Sequence, residues 1–240
     1  MQYVKIKDAI VEQIETGMLS PRQKLPAERK LAESFDTTRV TLREALSLLE
    51  ADGRIYREDR RGWFISPTPL CYDPSLPLNF ATMATTQNRK PQTQLLAAKN
   101  TIANKQATQQ LQLPPFSDVI RIDRVRYLEE RPVAYVTHYV RPTVCPNLLD
   151  FDLNGSLTDI YRDHFGVQYQ KVHYRMSTSS ILGETAQALR ATSGTPAMMI
   201  ERITYDDNNE RIDYSVECWR HDAIRVESMV ELRNADPASR

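Results

Sequence analysis

The chain has 240 residues, with 31 basic and 31 acidic side chains, so its formal net charge at pH 7 is zero. This length accommodates two modest domains with cores of their own, and the neutral balance excludes a generally polycationic binder of nucleic acid. The three cysteines, Cys71, Cys145 and Cys218, lie far apart and outside any CxxC motif, and neither a bilayer-spanning apolar run nor a signal-peptide pattern is present. We therefore expect reduced thiols in a cytoplasmic protein that does not enter a membrane.

The first part of the chain predicts three helices followed by a hairpin. Residues 3–16 have the apolar spacing of an amphipathic helix, and a shorter helical pattern follows over residues 26–35. Asp36-Thr37-Thr38 breaks the pattern and offers capping side chains for a third helix over residues 39–52. Two short strands with a basic turn fill residues 55–65. This order predicts a winged helix-turn-helix, which places its third helix in a DNA major groove.

The candidate DNA-contacting residues cluster at the start of the third helix and at the tip of the hairpin. Arg39 and Arg43 lie four residues apart and share a helix face, where a guanidinium fork can pair with guanine. The remaining candidates can contact phosphates or the minor groove: Thr38, Thr41, Arg60, Arg61 and Gly62. Two arginines alone would favour a solvated helix face; the capping break, the arginine pair and the basic hairpin together favour DNA.

The segment 1–66 carries 12 basic and 11 acidic residues, so it too is nearly neutral. Affinity for DNA must therefore depend on where the charges lie. The carboxylates are expected to point away from the duplex or to buttress the arginines: Glu28, Glu33, Glu44, Glu50 and Asp52. We expect a modest salt dependence for each domain and a homodimer to reach useful affinity.

The motifs of residues 25–65, LPAER, LAESF, TTRVTLREAL, LEADG and YREDRRGWFI, resemble the GntR family of bacterial transcription regulators. The resemblance implies base or phosphate contacts by Arg29, Arg39 and Arg43. It also implies phosphate contacts by Thr38 and Thr41, and it places Gly62 at the wing tip.

The segment SPTPLCYDPSLP at residues 66–77 contains four prolines, which predicts an extended and fairly stiff connection. We place a DNA-binding domain at 1–66, a linker at 67–77, a second domain at 78–233 and a polar tail at 234–240. Antiparallel hairpins crossed by a few helices predict an α+β class. The expected elements are a short helix within 79–90, a strand at 93–103, a helix at 104–113, a hairpin at 119–128 and 132–141, a helix at 156–165, a strand at 169–181, a helix at 183–191, a hairpin at 197–206 and 210–220, and a last strand at 224–232.

The strand predicted at residues 119–128 carries two arginines on an otherwise apolar face. Arg124 and Arg126 alternate with Ile120, Ile122 and Leu128 on that face. Buried arginines require carboxylate or phosphate partners. Two interpretations remain open on the residues alone: a structural ion pair with Asp213 or Glu217, or a pocket for an anion.

The segments IRIDRVRYLEERPVAY, DLNGSLTDIY and ALRATSGTPAMMIERITYDDNNERIDYSVECWRHD resemble the UTRA effector-binding domain of the HutC branch of GntR regulators. The resemblance covers most of residues 77–233 and implies a chorismate lyase-like fold joined by the linker to the winged helix-turn-helix. It implies that Arg124, Arg126 and Ser156 hold an anionic group, that Asn79 and Phe80 lie at the pocket mouth, and that Asp213 faces the ligand's polar end. Trp219 replaces a usual tyrosine, and Val136 replaces the glutamate that sugar-phosphate binders often carry.

Within this branch, the wing, the DLNGSLT turn and the WRHD run are most similar to regulators of 2-aminoethylphosphonate use. The phosphonate of such a ligand would meet Arg124, Arg126 and Ser156, and its ammonium would meet Asp213 or Glu217. We therefore expect a homodimeric repressor that binds a palindromic operator in double-stranded DNA and responds to a small phosphonate or phosphorylated metabolite.

Three alternatives stay open: an enzyme whose chorismate lyase-like domain acts on a small acid, a regulator that responds to a sugar phosphate, and a DNA-binding protein without an effector. The chain has no HExxH, no GxSxG and no glycine-rich phosphate loop. No catalytic residue, metal ligand or cofactor is therefore predicted.

Overall fold

The computed structural model describes residues 1–76 and 78–230. It begins with three helices, α1 (Gln2–Glu15), α2 (Glu28–Ser34) and α3 (Arg39–Ala51), followed by the strands β1 (Ile55–Glu58) and β2 (Gly62–Ile65). The two strands pair antiparallel as a wing. We call this unit the head; its core contains Ile6, Ile10, Leu42, Leu46, Leu49, Ile55, Trp63 and Ile65.

The rest of the described chain is built on one antiparallel sheet of six strands, in the order β4-β5-β6-β9-β8-β7. Its strands are β4 (Pro91–Ile102), β5 (Asp118–Leu128), β6 (Arg131–Val140), β7 (Lys171–Ser180), β8 (Pro196–Tyr205) and β9 (Arg211–Arg220). The helices are α4 (Phe80–Thr85), α5 (Lys105–Leu111), α6 (Leu157–Phe165) and α7 (Gly183–Ala188), with a 3-10 turn at Leu148–Asp150. The predicted α+β class, a winged helix-turn-helix followed by an antiparallel-sheet domain, is confirmed.

Helices cover both faces of the six-stranded sheet. Because side chains alternate along a strand, Ile122 of β5 faces α6 and packs near Tyr161, whereas Val119 faces α5 and packs near Leu111. Helix α4 covers the same face as α6, where Phe80 joins the apolar cluster around Trp219. Arg124 and Arg126 lie on the α4 and α6 face, because β5 alternates over its whole length.

The segment 67–77, predicted as a linker, contains a strand. Residues β3 (Leu70–Tyr72) pair in parallel with β10 (Ile224–Val226), and the Leu70 side chain is fully buried. The segment is therefore attached to the second domain before the six-stranded sheet begins. The last strand is shorter than predicted within the described residues, and the predicted tail at 234–240 lies outside them.

A buried polar cluster joins the head to the sheet. Arg131 of β6 donates to both carboxylate oxygens of Asp222, at 2.9 and 2.7 Å, and its guanidinium lies 3.4 Å from the ring centroid of Tyr56 in the wing. The guanidinium of Arg220, at the end of β9, lies 5.4 Å from the centroid of the same ring and donates to the Arg57 carbonyl at 2.8 Å. We call Tyr56, Arg131, Arg220 and Asp222 the interdomain cluster.

Neighbouring backbone contacts extend this cluster. The Asp59 amide donates to the Arg190 carbonyl at 2.9 Å, and the Ser66 hydroxyl donates to Asp222 at 3.1 Å. Burial alone would raise the pKa of Asp222, but the charges of Arg131 and Arg220 outweigh it and hold that pKa below its ordinary value. The wing is therefore fixed to the second domain by charged groups that are almost inaccessible to solvent.

Among the residues described, no helix combines the length and apolar character that crossing a bilayer requires.

Candidate functional site

The start of α3 presents a polar, solvent-exposed surface. Thr38 caps the helix, since its hydroxyl accepts from the Thr41 amide at 3.2 Å, and the two hydroxyls lie 3.0 Å apart. Arg39 is exposed and forms no ion pair with any described residue. Val40 is 78% exposed beside it. Sequence reasoning did not single out Val40, yet an exposed apolar side chain at this position can contact a thymine methyl group.

Glu28, the first residue of α2, contacts both α3 and the wing. Its carboxylate accepts from Arg43 Nε at 2.7 Å and from Trp63 Nε1 at 3.2 Å. Burial acts to raise the pKa of Glu28, but the hydrogen bonds from Arg43 and Trp63 lower it overall. Glu28 thus holds the Arg43 side chain in place, while Arg29 pairs with Glu33 at 3.8 Å on the exposed face of α2.

The wing tip is tight and basic. Arg60 has a left-handed φ of 58° and a side chain that is 93% exposed, and Gly62 has a φ of 99°. Arg61 pairs with Glu58 and lies 5.7 Å from the Phe64 ring centroid. Of the residues predicted to contact DNA, none is buried, and all lie in α2, in α3 with its capping residue, or in the wing: Arg29, Thr38, Arg39, Thr41, Arg43, Arg60, Arg61 and Gly62.

A cavity of about 910 Å³ lies over the sheet face that carries α4 and α6. Most of the predicted effector-binding residues line it: Asn79, Phe80, Arg124, Arg126, Ser156 and Asp213. Glu217 and Trp219 lie behind this wall instead, and both side chains are fully buried. We call this space the effector cavity.

Arg124 occupies the effector cavity without a carboxylate of its own. Its Nη1 donates to the Gly155 carbonyl at 2.8 Å, and its Nη2 lies 2.9 Å from His138 Nε2. Because a guanidinium only donates, Nε2 must accept, which places the imidazole proton on Nδ1, 3.1 Å from Asp213 Oδ2. Tyr161 donates to the same oxygen at 3.0 Å.

The electrostatics of this chain of contacts leave a positive charge at Arg124. Burial, aided by the neighbouring charge of Arg126, lowers the pKa of Arg124 to about 10, so the group stays charged at pH 7. Burial also lowers the pKa of His138, despite the opposing influence of Asp213, so the imidazole is neutral. Asp213 therefore positions His138 rather than neutralising Arg124 directly.

Arg126 has a different environment, because it forms a buried ion pair. Its Nη1 donates to Glu217 Oε2 at 3.0 Å, and Trp219 Nε1 donates to the same oxygen at 2.7 Å. The Arg126 guanidinium also lies 5.1 Å from the Phe80 ring centroid. Both interpretations of the arginine pair therefore apply: Arg126 has an ion-pair partner, and it still lines the cavity. Glu217 and Trp219, which were predicted to contact a ligand, lie outside the cavity lining; Glu217 instead accepts from Arg126 and Trp219.

Two helix N-termini open into the effector cavity. Ser156 caps α6, where its hydroxyl accepts from the Asp159 amide at 3.2 Å, and Leu157 and Thr158 line the cavity beside it. The N-terminal amides and the helix dipole favour an anion at this position. Asn79 caps α4 and donates to Asp159 at 3.2 Å, which ties the two helix ends together.

Sequence reasoning missed other cations that line the effector cavity. The described lining holds five cationic side chains and one carboxylate, Asp213; the cations are Arg124, Arg126, Arg162, Lys171 and Arg202. Arg202 could have been found by the argument that was applied to β5, because it shares a face of β8 with Met198 and Ile200. Arg162 and Lys171 gave no such indication, since both lie in exposed, polar stretches of sequence.

Two family profiles match this chain, one over the head and one over the second domain. The family profile described as "Bacterial regulatory proteins, gntR family" matches residues 2–65, and the "UTRA domain" profile matches residues 86–225. The uncharacterized HTH-type transcriptional regulator YihL of Escherichia coli (strain K12) is 28% identical over 91% of this chain and 93% of its own length. The HTH-type transcriptional repressor NagR of Bacillus subtilis (strain 168) is 25% identical over 92% and 90%.

Among solved structures, the fold is similar to PhnF from Mycobacterium smegmatis, with a TM-score of 0.67 at 20% sequence identity. The superposition covers 95% of this chain and 100% of that one, so both domains have counterparts there.

Proposed function

Because this chain belongs to the gntR family of bacterial regulatory proteins and carries a UTRA domain, we propose that it represses transcription from a palindromic operator as a homodimer under the control of a small anionic effector. Regulators of this family bind DNA operators and respond to small molecules through the UTRA domain, and they are not enzymes. The similarity to NagR, a transcriptional repressor, supports repression rather than activation.

The observation that carries the effector proposal is the excess of positive charge in the effector cavity. The buried guanidinium groups of Arg124 and Arg126 and the half-buried group of Arg202 face two carboxylates, those of Asp213 and Glu217, and His138 between them is neutral. A buried cation without a counter-ion is costly, and an anion from solution removes that cost. The α6 N-terminus supplies further donors for a group such as phosphate.

We place a phosphonate or phosphate ester with its anionic group at Arg124, Ser156 and the first turn of α6. Arg126 and Phe80 would contact its neighbouring atoms, and Asn79 would hold the two helix ends at the mouth. 2-Aminoethylphosphonate is the specific candidate that the sequence resemblance supplies, and the fold likeness to PhnF does not decide its identity. A sugar phosphate is the second candidate, supported by the size of the cavity, about 910 Å³.

For DNA, we propose that α3 enters the major groove, with Arg39 and Arg43 on base edges. The hydroxyls of Thr38 and Thr41 and the exposed Arg29 would contact phosphates, and the Arg60-Arg61-Gly62 tip would contact a phosphate or the minor groove. The exposure of the start of α3 and the wing tip supports this assignment.

Strand β9 gives the proposed coupling a structural basis. It carries Asp213 and Glu217 at the effector cavity and ends in Arg220, two residues before Asp222 of the interdomain cluster. A ligand at the effector cavity would contact the side chains of this strand. If it binds one arrangement of the head more tightly than another, it shifts the protein toward that arrangement and changes the affinity for DNA. We propose that the relative placement of the two heads in the dimer is the property that changes.

The direct test is a band-shift of the purified protein on DNA from upstream of its own gene, with phosphonates and sugar phosphates added. We expect a specific complex with this DNA that one of these compounds weakens. If no fragment from the native locus is bound, with or without these compounds, the proposed function is wrong.

The effector site is tested separately by the double variant R124A/R126A. It should bind operator like the wild type but lose the response to ligand, and calorimetry should detect no ligand binding. R175A is the matched control, because Arg175 lies on exposed β7 and pairs with Glu201 at 3.4 Å, outside the cavity lining. A full ligand response in the double variant would show that the pocket is misplaced.

A further inference from the structure

The effector cavity contains a second cation, Arg202, which shares its only paired carboxylate among the described residues with Arg126. Arg202 Nη1 lies 3.5 Å from Glu217 Oε1, at the limit of a hydrogen bond, whereas Arg126 holds the other oxygen of that carboxylate at 3.0 Å. The Nε of Arg202 is buried and has no hydrogen-bond partner in the described part of the chain. One carboxylate therefore serves two guanidinium groups, and Arg202 is the more weakly held of the two.

The other cations of the cavity lining have closer partners. Arg162 pairs with Asp159 at 3.0 Å and with Asp163 at 2.7 Å. Lys171 donates to Asn209 and lies 4.3 Å from the Tyr205 ring centroid. Among the described residues, the contacts of the Arg202 guanidinium are Glu217 at 3.5 Å and the Tyr174 ring at 5.8 Å. Arg124 and Arg202 are thus the two cations of the lining that are held least closely by carboxylates, and a ligand can accept hydrogen bonds from them.

The carboxylates offer no comparable place for a ligand's ammonium. Glu217 is fully buried and accepts from Arg126, Trp219 and Arg202. Asp213 is 4% exposed and accepts from His138 and Tyr161. An ammonium at this end of the cavity would lie beside guanidinium groups, whereas an anion would meet unused N–H donors.

We propose that Arg202 forms a second anion subsite and that the effector is a phosphonate or phosphate ester which carries a second acidic group, such as a carboxylate. The phosphonate binds at Arg124 and the α6 N-terminus, and the carboxylate binds at Arg202, in front of the Tyr174 ring. This inference rests on the proposed function, because it presumes that the same cavity binds the effector. It narrows the ligand class to diacids, against zwitterions such as 2-aminoethylphosphonate.

The test compares three compounds by calorimetry on the full-length protein: methylphosphonate, 2-aminoethylphosphonate and 3-phosphonopropionate. All three contain a phosphonate. Methylphosphonate has no second charged group, 2-aminoethylphosphonate has an ammonium, and 3-phosphonopropionate has a carboxylate. A charge-assisted hydrogen bond in a buried site corresponds to about tenfold or more in affinity. We therefore expect 3-phosphonopropionate to bind at least about tenfold tighter than the other two.

The variant R202Q should remove this preference and leave methylphosphonate affinity within about twofold of wild type, because the two subsites are separate. R202K, which keeps the charge and loses the planar fork, should retain part of the preference, and it serves as a second variant if R202Q does not fold. R175Q, on the exposed β7, is the matched control and should retain all of it.

Each other result overturns the inference in a distinguishable way. If 2-aminoethylphosphonate binds as tightly as 3-phosphonopropionate or tighter, the second subsite is not an anion site, although the proposed function survives. If the preference for the carboxylate persists in R202Q, Arg202 is not its receptor. If none of the three compounds binds, the inference fails, whereas the proposed function is decided separately by the band-shift on native DNA.

Discussion

Arg124 and Arg126 are two residues apart on β5 and share one face, yet they are held by different chemistry. A carboxylate neutralises Arg126, whereas a neutral imidazole orients Arg124. The difference arises from β6 and β9, where His138 lies opposite Ser215, midway between Asp213 and Glu217 on the neighbouring strand. Because the group that orients Arg124 is uncharged, the positive charge of Arg124 remains available for an anion.

The buried neutral state of His138 predicts a pH dependence of stability. The unfolded imidazole titrates near pH 6.5, and burial lowers its pKa in the folded protein, so below that pH the unfolded chain binds a proton that the fold excludes. Stability therefore falls as the pH drops. The free energy of unfolding of wild type should fall between pH 7 and pH 5. In His138→Gln this fall should be smaller, by up to about 2 kcal/mol, as measured by urea unfolding.

His173→Gln, at an exposed position of β7, is the control for this experiment and should follow the wild-type curve. An identical pH dependence in His138→Gln and wild type would mean that the pKa of His138 is the same in the folded and unfolded chain, and it would contradict the lowering by burial.

The DNA-contacting arginines should fall into two classes. Arg39→Ala or Arg43→Ala should weaken operator binding by about 1–3 kcal/mol and relax the base preference at one position of each half-site. Arg61→Ala should weaken operator and random DNA alike, because a phosphate contact carries no sequence information. Binding titrations on operator and scrambled duplexes measure both effects. Loss of base preference in Arg61→Ala would reassign the wing to base recognition.

At the scale of elements, helix α6 combines a structural and a binding role at one residue. Ser156→Ala removes the N-cap, which costs about 1 kcal/mol of stability, and also removes a hydroxyl from the proposed anion site. We expect both a lower melting temperature and weaker phosphonate binding. Asn104→Ala is the matched control, because Asn104 caps α5 on the opposite face of the sheet. It should lower the melting temperature without changing ligand affinity, and equal ligand affinities in the two variants would exclude Ser156 from the site.

The elements with a strict alternation could be predicted from the sequence. The hairpin of β5 and β6 and that of β8 and β9 follow from alternating strands around polar turns, and both are confirmed. The capped start of α3 also followed from sequence, because a cap and the residue it bonds are local. The order of strands in the sheet, in which β9 lies between β6 and β8, depends on long-range pairing that no local pattern encodes.

The same limit explains which site residues could be found. The apolar neighbours of Arg124 on β5 made it visible in the sequence, whereas its partner His138 lies on another strand. Glu217 was found from the sequence both as an ion-pair partner and as a ligand contact; the ion pair with Arg126 is present, and the choice between the two roles depends on side-chain packing that no local pattern encodes. Strand β3 was hidden because its partner β10 lies more than 150 residues later in the chain.

At the scale of the whole molecule, the interdomain cluster predicts a variant that separates ligand binding from DNA response. Asp222→Asn keeps the shape of the side chain but removes the charge that Arg131 and Arg220 share. Removing one partner of a buried ion pair costs about 3–5 kcal/mol, so the head should detach before either domain unfolds. We expect unchanged ligand affinity by calorimetry, together with an operator affinity that no longer responds to ligand.

Glu210→Gln is the control for this variant, because Glu210 pairs with Arg141 at 3.6 Å on the surface, away from the head. A normal ligand response in Asp222→Asn would place the coupling elsewhere, for example in the proline-rich segment.

The interdomain cluster also bears on how such regulators can diversify. Tyr56 belongs to the head, while the two arginines near its ring and the carboxylate that they share belong to the second domain. A chimaera made by recombination near residue 66 would inherit only one side of this contact. A functional chimaera should therefore form more readily when Tyr56 and the WRHD segment at residues 219–222 come from the same parent than when the head alone is exchanged.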